Sequence, residues 1–211
     1  MSDFFCGFES QQLDVLREIG NIGAGNAVTA LATMLGRPID MSVPEVQIVP
    51  FNEIVSIMKG PENLAVGQLV ELSGDLTGYI LLILGIADAY EIVSTALGVP
   101  IEVPQDPTSL DLDEVGVSAL AEMANILVGS YLSAICELTN LNVTPSVPYM
   151  AVDMVGAIIS IVAIEYGKVG DAALFLKTQF SDIKEDLAGH FFLLPDAESY
   201  KVLMKSLGIE M

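Results

Sequence analysis

In two places a carboxylate precedes a carboxamide by three positions: Glu18 with Asn21, and Glu122 with Asn125. On a helical wheel Asp14, Glu18 and Asn21 fall within about 60° of arc, and Gly25 lies in the same stripe. Val15, Leu16, Ile19 and Ile22 take the opposite side and form a core stripe. The design recurs with Ser118, Glu122, Asn125 and Gly129 on one face and Val117, Leu120, Met123 and Ile126 on the other. At neutral pH a carboxamide is neither a general base nor a nucleophile, but it donates and accepts hydrogen bonds at fixed positions. That suits orienting a water for in-line attack on phosphorus, as a glutamine does in GTPases. A carboxylate one turn away can pair with a lysine on a partner. Arg17 is read as lying off this face and the second helix has no basic residue nearby, so the phosphate charge falls to the partner and its metal. Each face is then half an active site, and Gly25 and Gly129 leave a dent where another backbone can come close. The plain alternative is a solvated helix surface. It loses weight because the pair occurs twice with its glycine and a proline at matching distances.

These residues sit in a chain that repeats itself. Asp14, Glu18, Asn21 and Pro44 recur as Ser118, Glu122, Asn125 and Pro148, each 104 positions on. A later block, Asp75-Leu76-Thr77-Gly78-Tyr79, parallels Asp186-Leu187-Ala188-Gly189-His190 at a slightly longer offset. The chain, 1–211, is therefore expected to be one domain built from two repeats, about 9–99 and 111–209, joined by a Pro-rich linker over 100–110. The patterns predict a long helix over 9–35 with Ser10 as N-cap, and an extended stretch over 43–57. Strands follow at 65–72 and 77–84 with a hairpin between, then a short helix at 87–97. The second half repeats this: a long helix at 111–139 capped by Asp111, strands at 143–165, 172–180 and 187–194, and a final helix at 197–207.

With 28 Asp and Glu against 8 Lys and Arg, the formal charge of −20 argues against a nucleic-acid backbone or an anionic membrane as partner. The most apolar runs, 79–84 and 154–164, fall short of the ~20 residues that span a bilayer and are expected as buried strands. No secretory signal is visible, and Cys6, Cys136 and the lone His190 make no structural metal set, so a reducing cytoplasm is expected. The run Gly20-Asn21-Ile22-Gly23-Ala24-Gly25 does not complete a dinucleotide fingerprint and does not follow a strand, so it is expected to serve helix packing through small residues. Asp75 and Asp186, the carboxylates a small-molecule phosphohydrolase would need for a metal, read as hairpin residues.

The doubled pattern [Asp/Ser]-x3-Glu-x2-Asn-x22-Pro resembles the signature of the CheC/CheX/FliY family of chemotaxis phosphatases. Asp14, Glu18, Asn21 and Pro44 meet it once, and Ser118, Glu122, Asn125 and Pro148 meet it again. Two intact copies in a chain of this length favour the CheC branch over the single-copy CheX and the longer FliY. The resemblance implies an α+β fold, a sheet with two long adjacent helices related by a pseudo-two-fold axis, the sheet being expected as mixed. It implies hydrolysis of the aspartyl phosphate of the response regulator CheY, with Asn21 and Asn125 orienting water and Glu18 and Glu122 docking the regulator's lysine. It also implies no cofactor or metal of its own, Mg²⁺ being held by the regulator, and a second partner, CheD. The chain is expected as a cytoplasmic monomer. The alternative is a non-catalytic adaptor that binds phospho-CheY or CheD.

Overall fold

A computed structural model describes residues 10–50, 53–58, 60–104, 109–166, 172–180 and 188–208. In chain order the elements are α1 (Ser10–Leu35), β1 (Met41–Pro50), α2 (Ile54–Ile57), β2 (Leu64–Gly74), β3 (Gly78–Gly85), α3 (Ile86–Leu97), α4 (Glu114–Thr139), β4 (Val143–Pro145), β5 (Tyr149–Met154), α5 (Val155–Tyr166), β6 (Ala172–Phe180), β7 (Ala188–Pro195) and α6 (Ala197–Ser206). Of the expected linker, residues 105–108 lie outside the described residues, and 100–104 and 109–113 carry no helix or strand. Glu9 and Asp186 also lie outside them.

The strands form one sheet in the order β1-β6-β7-β3-β2, with β4 and β5 sharing the far edge of β2. All the described pairings are antiparallel, which corrects the expectation of a mixed sheet. The reason is an exchange: β1 pairs with β6 of the other half, and β4 and β5 pair with β2, so each outer strand runs against its neighbour. The middle of the sheet explains the symmetry. β3 and β7 pair with Leu81 opposite Phe192, Ile80 opposite Leu193 and Leu82 opposite Phe191. Leu81 and Phe192 are separated by the same offset as Gly78 and Gly189, so the pseudo-two-fold axis passes between them and generates the palindromic strand order.

Alternation along the strands sorts side chains to two faces. Val66, Val70, Ile80, Leu82, Leu84, Phe191 and Leu193 pack under α1, α3, α4 and α6 in the larger core. Ala65, Leu81, Ile83, Phe192 and Leu194 pack under α2 and α5 in the smaller one. The run 154–164, expected as a buried strand, is mostly α5. Its buried positions Val155, Ile158, Ile159 and Val162 trace one helical stripe. The period is hidden in the sequence because Ile161 and Ile164, on the exposed side, are apolar too. α5 lies close to the sheet at Gly67, where an added Cβ would meet Ile158 Cγ2 at 2.9 Å.

Candidate functional site

α1 buries Leu16, Ile19, Ala27, Leu31 and Leu35 along one stripe. α4 buries Leu120, Met123, Leu127 and Tyr131 likewise. Its start is fixed by Asp113, whose carboxylate accepts from the Gly116 N–H at 2.8 Å. The cap is therefore Asp113 and not Asp111, because the chain is still extended at Asp113 and turns helical only at Glu114. By length and composition α4 is the one described helix apolar enough to cross a membrane. Here its apolar side lies on the sheet.

What remains for solvent is the polar stripe. Asp14, Glu18, Asn21 and Gly25 are exposed on α1, and Ser118, Glu122 and Asn125 on α4, with Gly129 half-buried. The structure thus places each carboxylate–carboxamide pair on the open face of one of two helices packed side by side. Among the described residues nothing comes within 4 Å of a Cβ built on Gly25 or Gly129, so their dents lie open on this face. The close approach inside the chain is made instead by Gly23, whose added Cβ would lie 2.5 Å from Tyr131 Cδ1. Arg17 is not off the face as expected: at one helical turn from Asp14 its Nη1 reaches Oδ1 at 3.0 Å. Ser118, the matching residue of the second pair, donates its hydroxyl to the Glu114 carbonyl at 2.7 Å.

The x22 spacing between Asn and Pro has a structural cause in the first copy. Asn21 Oδ1 accepts from the Val43 N–H at 3.4 Å, one residue before Pro44. The register of β1 against β6 shifts between Ser42 and Glu45, which releases this N–H from the ladder. An amide oxygen has two lone pairs, so Asn21 keeps one acceptor position and its NH₂ donors. The second copy is built differently. Its strand breaks between β4 and β5, with Ser146 and Glu71 exchanging hydrogen bonds and Pro148 half-buried in the gap. Val147, the counterpart of buried Val43, is 85% exposed. Among the described residues no group bonds the Asn125 amide. No cluster of three or more His, Cys, Asp or Glu that could hold a metal ion occurs among them either.

The Gly23–Tyr131 contact is the helix packing through small residues expected of the run Gly20 to Gly25. One feature of the site is absent from the sequence reading: Gln68, buried in β2, donates from Nε2 to the Leu120 carbonyl of α4 at 3.0 Å. A single Gln in an apolar strand gives no signal of its partner.

The comparisons with known proteins agree with this layout. The sequence pattern of the CheC-like family matches residues 12–48 and 115–149, the two stretches that run from each long helix to its proline. The CheY-P phosphatase CheC of Bacillus subtilis (strain 168) is 38% identical over 209 residues, 98% of this chain and 99% of that protein. The flagellar motor switch phosphatase FliY of the same organism is 29% identical over 135 residues, 64% of this chain and 34% of that one. The crystal structure of Thermotoga maritima FliY superposes with a TM-score of 0.72 at 23% identity, covering 95% of this chain and 98% of the other. With a relative 38% identical over 98% of its length, the chain belongs to the CheC-like family.

Proposed function

We propose that this chain is a phosphatase that hydrolyses the aspartyl phosphate of the response regulator CheY. A full-length relative at 38% identity bearing that activity in its name supports the reaction. The observation that carries the mechanism is the exposed Glu–Asn pair on each of the two packed helices. In this reading Glu18 or Glu122 pairs with the regulator's lysine and fixes docking. Asn21 or Asn125 accepts a hydrogen bond from a water and aligns it opposite the aspartyl oxygen. The water oxygen bonds to phosphorus, the P–O bond to the aspartate breaks, and inorganic phosphate and a free carboxylate leave. Mg²⁺ held by the regulator neutralises charge on the phosphoryl oxygens. Among the described residues Arg17 is the one cation beside this stripe, and Asp14 already engages it. The protein works as a monomer in the cytoplasm, with CheD as a second partner.

The test is single-turnover decay of radiolabelled phospho-CheY with the Asn21→Ala/Asn125→Ala double variant. Decay should fall to the regulator's own rate while binding of phospho-CheY survives. Near-wild-type decay from that variant overturns the mechanism. Binding without any acceleration by the parent protein selects the adaptor reading instead.

A further inference from the structure

The sheet face beneath the long helices is apolar except at a few positions, and two of these reach α4. Gln68, 1% exposed at the centre of β2, donates from Nε2 to the Leu120 carbonyl, while its Oε1 has no partner among the described residues. Leu120 lies between Ser118 and Glu122. Thr178, also 1% exposed, shares a hydrogen bond of 3.1 Å with the Tyr131 hydroxyl, about 16 Å further along the helix.

The pseudo-two-fold axis supplies an internal comparison. Gln68 sits opposite Leu82 and Leu174 sits opposite Leu193, so Leu174 occupies Gln68's place in the other half. By the same registers and offsets, Leu72, Leu16 and Ala27 stand where Thr178, Leu120 and Tyr131 stand. All four counterpart positions, Leu174, Leu72, Leu16 and Ala27, are apolar. The architecture therefore accepts leucine where Gln68 lies, and burying an amide with an unpaired acceptor works against stability. A buried polar group that the fold does not need calls for another role.

The Leu120 carbonyl is already an acceptor in α4's own ladder. A second, directional bond to the sheet fixes the rotation of that turn, which apolar packing alone leaves softer. A rotation of about 20° would move the tips of Glu122 and Asn125 by about 2 Å, at a helix radius of 5–6 Å. Errors of that size are costly to a reaction that depends on aligning a water. We propose that Gln68 is a positioning residue of the second site, setting the rotation of the α4 turn that carries Glu122 and Asn125. The proposal rests on the reading that this pair performs the reaction.

The experiment introduces Gln68→Leu into two backgrounds: Asn21→Ala, where only the second site turns over, and Asn125→Ala, where only the first does. In the first background kcat should fall about tenfold with KM nearly constant. In the second background kcat should not change, and the thermal midpoint should not drop in either. Amide exchange should speed up over residues 118–126 and not over 14–22. Unchanged second-site kcat with unchanged exchange overturns the proposal. Equal losses at both sites with a lower thermal midpoint also overturn it, since Gln68 would then only hold the fold together. If the site reading itself is wrong, the Asn21→Ala/Asn125→Ala variant turns over normally before Gln68 is touched. The exchange measurement then decides whether Gln68 fixes the turn.

Discussion

A side-chain carbon on Gly23 would lie 2.5 Å from Cδ1 of Tyr131 and 3.0 Å from its Cα, so α1 and α4 touch backbone to backbone two residues beyond Asn21. The Tyr131 ring is in turn held against Phe191, with ring centroids 4.5 Å apart, and cannot swing aside freely. Gly23→Ala should therefore push the helices apart and cost about 1–3 kcal/mol. For a chain of this size that is a fall of several degrees in the thermal midpoint. Gly25→Ala is the control, because its added carbon meets none of the described residues within 4 Å. It should be neutral or stabilising by up to about 1 kcal/mol, alanine being the better helix former. If Gly25's dent receives the regulator's backbone, Gly25→Ala will also raise KM for phospho-CheY. Scanning calorimetry and turnover on the two variants check both parts.

Alkaline stability should depend on the buried phenols. Burial pushes the Tyr131 hydroxyl up to about 12, although its hydrogen bond to Thr178 pulls the other way, and burial raises Tyr200 as well. Both phenols hold their proton more tightly folded than unfolded. Their contribution is complete below the ordinary tyrosine value near 10 and is lost as pH climbs from about 10 toward 12, by at most about 1.4 kcal/mol per pH unit for each group. Tyr131→Phe should flatten the decline in stability above pH 10 measured by urea unfolding. An unchanged slope would show that Tyr131 stays protonated in both states or ionises without unfolding.

Net charge sets the salt response. With −20 on the chain, approach of an acidic regulator would meet long-range repulsion, while the proposed Glu–Lys contact would be local. Salt screens the first within about 8–10 Å at physiological strength and the second far less once docked. Raising salt from low to physiological should leave kcat/KM unchanged or increase it. A steep fall would show that attraction dominates the encounter.

Of the stripe expected on α1, Leu16 and Ile19 are buried and Ile22 half-buried, while Val15, at the stripe's edge toward the polar face, is 37% exposed. The hairpin between β2 and β3 was legible from Ser73-Gly74-Asp75. The exchange of β1 and of β4 with β5 was not, since pairing partners are chosen by long-range packing and not by local pattern. α5 was misread because it is apolar on nearly every side. At the site, residue types and spacing showed the doubled pair, yet the differences between its two copies lie in hydrogen bonds. Asn21 bonds Val43 22 residues on, and Gln68 bonds Leu120 across 52 residues. Nothing in the repeat itself announces which copy has which bond.

The two asparagines should differ in what they do for stability. Asn21 Oδ1 satisfies the Val43 N–H at the β1 bulge, and Val43 is 1% exposed, so that donor has little access to water without it. Asn125 has no such duty. Replacing either by alanine gains the same helix propensity, so the difference between the two variants isolates the Val43 bond. Asn21→Ala should be less stable than Asn125→Ala by about 0.5–1 kcal/mol, the low end for a hydrogen bond because 3.4 Å is long. Asn21→Asp separates this duty from chemistry. Its carboxylate can still accept from Val43, so stability should stay near that of the parent. Under the proposed mechanism its added negative charge lies beside the phosphoryl group and repels it, so first-site turnover should vanish. The measurement is urea unfolding of the three variants beside single-turnover decay in the Asn125→Ala background. Equal stability of the two alanine variants would remove the Val43 tether, and full turnover from Asn21→Asp would remove the need for the amide.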